Sequence, residues 1–447
     1  MAHLQANGEK LERGLSLYQA TAINMIDMVG IGPFVTIPMI VGYMHGSASI
    51  IAWLVGALLA YMDGMVWAEL GAKWPEAGGS YVFLQKLFGK GKSGGIMPFL
   101  FIWQTTLQAP LVIASGAIGF ANYFSFLVPL SALQKKAVSG GVVLLLIALL
   151  YRNIKSIGKI SVGLWAITGG TIIWLISSGI PHFNAAQAFD IHFEGFNSTT
   201  LLFAAVGQAT LKSVYSYLGY YNVCHLGAEI KDPAKNIPRS IILSITGIAI
   251  FYLGMQTVIL GVIPWQTVAS STFIASTYFE QIYSHTVANM ATMLILVIAL
   301  ASLFSAILGY SRIPYAAALD GNFFSAFAKV HPKYKFPHVS LLAIGGVGFV
   351  FSLLFRLGDA ITAILTMRIM VQFVSQAIGL IAWRYKTKEA QPYKMPLFPI
   401  PAIISIIIWL FIYCCIDWHY IAASLGIIAL GALTFFIRKK YTTPVSA

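Results

Sequence analysis

Two stretches of this 447-residue chain place helix-breaking residues inside runs that are otherwise apolar. The first reads Asp27-Met28-Val29-Gly30-Ile31-Gly32-Pro33-Phe34 and the second Tyr217-Leu218-Gly219-Tyr220-Tyr221-Asn222. A helix that unwinds at such a point frees main-chain groups of both polarities. The N–H groups of Gly30, Ile31 and Gly32 would open the following half-helix, where the dipole favours an anion. Pro33 suits a first turn because its missing N–H is not needed there, and glycines let a ligand approach the backbone. The carbonyls near Asp27, Met28, Tyr217 and Leu218 would end the preceding half-helices and accept from a cation. This is non-covalent chemistry, the capture of both ends of a zwitterion.

Tyr215, Tyr217, Tyr220 and Tyr221 surround Gly219 in the sequence and supply rings and hydroxyls for selecting a ligand's side chain; Tyr215, one turn outside the break, is placed as an aromatic lid. Asp27 sits one turn before the glycines. An ionised carboxylate there would cost at least about 2.5–3.5 kcal/mol on insertion scales, so it must be paired, protonated or close to a ligand amine. The competing reading is that Gly and Pro are common in membrane helices and that aromatic residues are ordinary packing material. Two breaks in matching places count against it.

The elements that position these residues follow from composition. Hydrophobic residues make up 58% of the chain and charged ones 10%, against about 25% charged in soluble domains. A single core stops growing beyond roughly 250–300 residues, so the surplus apolar surface must face lipid. A disordered chain is excluded and a soluble enzyme is disfavoured.

Apolar stretches near 15–43, 47–72, 95–126, 136–151, 158–180, 200–228, 240–263, 285–312, 339–356, 359–383, 397–415 and 418–437 predict about twelve transmembrane helices. The net charge of +13 does not point to nucleic acid, because the basic residues lie between the apolar runs. With alternating spans, all but Lys135, Lys136, Lys212, Arg356 and Arg368 of the 28 Lys and Arg fall on one side, including Lys10, Arg13, Lys90, Lys92, Lys155, Lys388, Arg438, Lys439 and Lys440. Outer loops carry Asp190, Glu194, Glu280 and Asp417 instead. The positive-inside rule then puts both termini in the cytoplasm. The N-terminus lacks a cleavage pattern, so the first span is expected to stay. Cys224, Cys414 and Cys415 all lie in apolar runs, and no Cys/His spacing reads as a metal site.

The interruptions fall in spans one and six, five spans apart. That spacing predicts an inverted repeat of five plus five helices with two more appended, and a binding site at the midplane between the broken helices. The expected organisation is a tail at 1–14, a first repeat at 15–180, a second at 200–383, helices eleven and twelve at 397–437, and a tail at 438–447.

Four motifs carry a resemblance. Gly30-Ile31-Gly32-Pro33-Phe34, Pro75-Glu76-Ala77-Gly78-Gly79-Ser80-Tyr81, the segment Gly227-Ala228-Glu229 through Pro238-Arg239, and Arg312-Ile313-Pro314-Tyr315 through Asp320-Gly321 with Val330-His331-Pro332 stand in order at spans one, two, six and eight. Together they resemble the amino acid-polyamine-organocation superfamily. The resemblance implies an all-α, leucine-transporter-like fold with discontinuous helices 1 and 6, alternating access, no cofactor, and an amino acid or amine as substrate. It also implies gating roles for Glu76, Glu229 and Asp232, placed to pair with inner-loop Lys or Arg as the inner gate moves.

Relatives that carry cations often place an acid in the span-six break, where this chain has Tyr221 or Asn222, so a small neutral amino acid is favoured. Asp27 keeps a cationic amino acid, a polyamine or another organic amine open. Sodium-coupled relatives use two hydroxyls on span eight, which align with Phe304 and Ser305, and sodium-independent ones often place a lysine on span five, which aligns with Thr168. By elimination the chain is expected to use proton coupling or exchange. Asp27 is the candidate proton site, and Thr168 and Ser305 could line a water-filled pocket. Arg368 could pair with Asp27, Asp63 is a further charge within a span, Glu69 suits snorkelling at a helix end, and His225 is expected to be packed. A channel is the rival class, since broken helices also build selectivity filters.

Overall fold

The computed structural model describes residues 11–89, 95–152, 154–193, 196, 198–387 and 389–441. The tails at 1–10 and 442–447 and the residues Lys10, Lys90, Lys92, Glu194 and Lys388 lie outside the described residues, as do the side chains of Lys155, Arg438, Lys439 and Lys440. Among the described residues every regular element is helical, and pairing of extended backbone is confined to isolated bridges at Leu15 with Ile230 and Ala77 with Leu226.

Ser16 opens α1 (Leu17–Met28) with a capping box, its hydroxyl accepting from the Gln19 N–H while Gln19 Oε1 accepts from the Ser16 N–H at 2.9 Å. The chain unwinds over three residues and resumes as α2 (Gly32–Met44), bent by 44° from α1. There follow α3 (Ile50–Lys73), α4 (Ser80–Phe88), α5 (Ile96–Leu127), α6 (Ala132–Leu150) and α7 (Ile154–Gly179). The short α8 (Ala185–Ala188) leads to α9 (Thr199–Tyr217), which stops at the second glycine break and continues as α10 (Asn222–His225). Next come α11 (Pro233–Val262), α12 (Trp265–Ser270), α13 (Ile274–Ile282), α14 (His285–Tyr310) and α15 (Arg312–Leu319). The last group is α16 (His338–Leu354), α17 (Leu357–Arg368), a π-helical stretch at Ile369–Val374, α18 (Ser375–Lys386), α19 (Ile400–Cys414) and α20 (Trp418–Tyr441).

Among the described residues, 8 helical segments are long and apolar enough to cross a membrane, and 9 when the bent pair α1–α2 counts as one span. With this much apolar surface the chain is an integral membrane protein. The apolar helices α16 and α19 have 17 and 15 residues, and α9 is cut short by its break; they occupy the expected spans nine, eleven and six.

Two elements show how the layers are arranged. The apolar window within Leu357–Lys386 is 83% buried, whereas that of Trp418–Ile437 is 11% buried. The first is therefore a central element and the second is left to lipid. Around the centre, α1 packs on α7, α11 and α14, while α2 packs on α9 and α12. The two interrupted helices thus lie side by side, supported by α11 and α14. The π-helical stretch was not anticipated from sequence; such insertions concentrate at functional sites.

Candidate binding site

The first break is built by neighbours as much as by its own glycines. The N–H of Val29 still reaches Met25 O at 2.9 Å, and that of Gly30 turns back to Met28 O at 3.2 Å. Those of Ile31 and Gly32 donate to no described group. They are the free donors expected at the start of α2. The carbonyls behind the break are already engaged. Ser302 Oγ on α14 donates to Asp27 O at 3.1 Å, and the Tyr252 hydroxyl on α11 lies 2.7 Å from Met28 O and 3.0 Å from Ser216 O. One phenol thereby ties both interrupted helices together.

At the second break Gly219 adopts φ +123°, which a residue with a side chain rarely takes. A Cβ there would stand 2.8 Å from Met28 N and 2.9 Å from the Asp27 carbonyl carbon, so the two breaks meet backbone to backbone. Asn24 of α1 accepts the Val223 N–H at 2.8 Å, satisfying a donor at the start of α10. Asn222 donates to Ser305 Oγ at 2.8 Å, and Ser305 in turn donates to Ile23 O at 2.8 Å.

Between the breaks lies a cavity of about 70 Å³. Pockets for drug-sized ligands run to about 300–1,000 Å³, so this one suits a small solute. Its wall contains Asp27, Met28, Gly30, Ile31, Gly32, Tyr215, Gly219 and Tyr221 from the residues singled out by sequence. Tyr215 is fixed by a 3.0 Å hydrogen bond with Ser115 Oγ.

Other sequence candidates lie elsewhere. Tyr217 turns away from the cavity and packs edge-on against Trp53 and Tyr252. Tyr220 donates to the buried carboxylate of Asp63, which also accepts from Trp67 Nε1 at 2.9 Å and Trp409 Nε1 at 3.4 Å. Thr168 is buried on α7 outside the cavity wall, and its hydroxyl has no partner among the described residues. Ser305 is occupied by Asn222 and Ile23 as described. Ser302 shares the Ser305 face of α14, because residues three apart align on a helix, and Phe304, the other aligned position, is a buried core residue.

Arg368 lines the cavity with Asp27, yet the two form no ion pair. Its Nε donates to Gln372 Oε1 at 2.7 Å and its plane lies over the rings of Tyr221 and Phe373, 4.9 Å and 5.1 Å from their centroids. His225 is packed as expected, between Trp67, Tyr221 and Tyr310. Glu69 does not snorkel: it is 1% exposed and accepts from Arg384 Nη1 at 3.2 Å and from the Met395 N–H at 2.8 Å.

Three candidate gating residues sit on the face that carries the loop motifs. Glu229 pairs with Arg312, and Glu76 pairs with Lys86 at 3.1 Å on the surface. Asp232 is exposed at φ +44°, and its carbonyl receives the N–H groups of Lys235 and Asn236. Main-chain bonds close the same face. Gly14 and Leu15 both donate to Glu229 O at 3.0 Å, and Lys231 donates to Leu15 O at 2.9 Å. This latch joins the segment entering α1 to the segment leaving the second break.

Sequence reasoning missed Tyr252, Ser302 and Tyr310. Ser302 carried a signal, a hydroxyl one turn from Ser305 on the same helix face. Tyr252 carried none, because a tyrosine in an apolar run reads the same whether it packs or braces a break.

A family model described as amino acid permease matches residues 15–437. The chain is similar to Cationic amino acid transporter 4 of Mus musculus, at 25% identity over 88% of this chain and 62% of that protein, so it spans less than two thirds of that relative. It is 24% identical to Branched-chain amino acid permease BcaP of Bacillus subtilis (strain 168), over 97% of this chain and 95% of the relative. Methylthioribose transporter of the same organism is 24% identical, over 98% of this chain and 95% of the relative.

Proposed function

Because the chain belongs to the amino acid permease family, we propose that it is a secondary transporter that carries a small neutral amino acid by alternating access. The observation that carries the reading is one cavity bordered by both helix breaks and holding one carboxylate, Asp27, and one guanidinium, Arg368. A wall with balanced charges favours a ligand with balanced charges. The substrate carboxylate meets the free N–H groups of Ile31 and Gly32, its ammonium meets Asp27, and Tyr215 covers it.

The architecture proposed with this function has twelve spans. Five-helix halves at 15–180 and 200–383 repeat in inverted orientation, and two helices at 397–437 are appended. Contact between Gly219 and the Asp27–Met28 backbone supports it, since corresponding breaks of an inverted repeat meet at the pseudo-twofold axis. The positive-inside distribution supports cytoplasmic termini in a bacterial inner membrane. Opening towards the cytoplasm parts the latch of Gly14, Leu15 and Glu229 and the Glu229–Arg312 pair beside it.

For the driving force, Asp27 takes a proton in symport, or the site is emptied and refilled in exchange; sodium is not required in either scheme. A cationic substrate is the second reading, favoured by Asp27 and by the similarity to the mouse cationic amino acid transporter. Arg368 weighs against it by placing a fixed positive charge in the same wall. A channel or an enzyme is disfavoured by family. The test is uptake into proteoliposomes from a panel of neutral and cationic amino acids, with and without sodium and a pH gradient. Saturable, stereospecific uptake of a neutral amino acid in sodium-free buffer is expected. Strict sodium dependence, preference for lysine, or ohmic current indifferent to unlabelled substrate each overturns part of the reading.

A further inference from the structure

Among the described residues two arginines, Arg312 and Arg368, are buried, and they are treated differently. Arg312 is 2% exposed and donates to Glu229 Oε1 and Oε2, Leu308 O and Ser311 Oγ. Its fork is occupied by fixed protein groups, as a structural guanidinium should be. Arg368 is 1% exposed; its Nε donates to Gln372 Oε1, and the guanidinium also hydrogen-bonds the Tyr221 side chain. Its Nη2 has no hydrogen-bond partner among the described residues. A buried charged donor left unsatisfied is costly, and the acid that shares the cavity, Asp27, does not take it.

The geometry around Arg368 holds it still. Gln372, one turn along in the π-helical stretch, accepts from Nε and passes its own Nε2–H to Ser80 Oγ at 2.9 Å. Tyr221 and Phe373 hold the guanidinium plane from the sides. A guanidinium held at Nε and across its faces, with Nη2 unpaired beside a cavity, is organised to receive an acceptor from a ligand. The cavity wall also includes Tyr310 and the apolar Val112, Leu303, Ala306 and Ile364, and its charged residues are Asp27 and Arg368.

We infer that Arg368 selects the substrate, by donating to an oxygen at the end of its side chain, so that the transported solute is a small neutral amino acid bearing a side-chain hydroxyl or carboxamide. The inference rests on the amino acid reading above and assigns the third attachment point that the backbone breaks and Asp27 do not supply. A site built to hydrogen-bond a ligand oxygen rejects the analogue lacking it, because its own donor is then left unpaired.

Thermal-shift titration of the purified full-length protein with serine against 2-aminobutyrate and threonine against valine, pairs that differ chiefly in the hydroxyl, tests this. The oxygen-bearing member of each pair is expected to bind at least about tenfold tighter. In Arg368→Met that preference should fall below about twofold while valine affinity is kept; loss of fold alone would lower both equally. Near-equal binding within each pair by the wild-type protein overturns the inference whether or not the variant folds, as does a preference that survives Arg368→Met. Failure of serine and threonine to bind overturns this inference, and the uptake panel above decides the amino acid reading separately.

Discussion

Glu229 holds Arg312 with both carboxylate oxygens, at 2.8 Å from Nε and 3.1 Å from Nη2, and the two side chains are 0% and 2% exposed. The same Glu229 offers its main-chain carbonyl to Gly14 and Leu15. One residue therefore carries the side-chain and the main-chain fastening of the motif-bearing face.

Removing one partner of a buried pair strands the other charge, which costs about 3–5 kcal/mol. Glu229→Gln and Arg312→Gln should each lower the melting temperature of the purified protein markedly, and combining them should cost less than the sum. A double variant that shows simple additivity would mean the two side chains do not act as a pair.

The glycines of the two breaks should not be equivalent. Gly219 combines a φ of +123° with backbone neighbours at 2.8 Å and 2.9 Å from the position of a Cβ. At Gly32 the nearest neighbour is the Ser216 hydroxyl at 3.3 Å, a side chain that can shift. Gly219→Ala should therefore lose about 1–2 kcal/mol or more from strain alone, while Gly32→Ala stays folded with weakened binding. At Gly30 the obstacle is the side chain of Ser302, 2.7 Å away at its Cβ. Gly30→Ala should consequently be rescued by Ser302→Gly, measured as recovered ligand-induced stabilisation, and absence of rescue would remove the steric account.

What could be read in the sequence was the part of the structure written in backbone chemistry. Gly30-Ile31-Gly32-Pro33 and Gly219 announce interruptions because no other residue types adopt or tolerate those conformations so readily. The long apolar runs announce their helices because lipid leaves the backbone no other option. Side chains that brace the breaks from other helices were illegible. Tyr252 and Ser302 are common residue types in apolar runs, and only their distance in space to Met28 O and Asp27 O gives them meaning. The tyrosines beside Gly219 were read as one group, but Tyr215 and Tyr217 are two apart on α9 and do not share a face, while Tyr220 and Tyr221 lie in the unwound stretch, where helical spacing no longer sets direction. Tyr215 and Tyr221 reach the cavity, while Tyr217 and Tyr220 point into the packing.

Tyr252 tests whether the breaks are held together from outside. Its hydroxyl lies within bonding distance of carbonyls on both interrupted helices. Tyr252→Phe keeps the ring and its packing on Trp53 and Tyr217 and removes only the donor. A loss of about 1–3 kcal/mol is expected from the unsatisfied buried carbonyls. It should be accompanied by weaker binding of the neutral ligand, because the half-helices then hold their relative positions less firmly. Lower stability with unchanged affinity would confine Tyr252 to a structural role.

Asp27 and Asp63 are both carboxylates at membrane depth, and their surroundings predict opposite responses to substitution. Asp63 accepts from Tyr220, Trp67 and Trp409, donors that do not ionise near neutral pH, and is 0% exposed. Its ligation is complete before any substrate arrives. The Asp27 carboxylate lines the cavity without a hydrogen bond from the described residues, so its occupancy by a proton or by a substrate ammonium changes as the site fills and empties. Asp27→Asn should flatten the pH dependence of uptake while the protein remains folded. Asp63→Asn should lower the melting temperature and leave the shape of the pH profile intact. The measurement is initial uptake into proteoliposomes over a series of pH values for each variant. A pH profile unchanged in Asp27→Asn removes this acid from the coupling step, and a profile flattened in Asp63→Asn would move that step to the scaffold between α3 and α19.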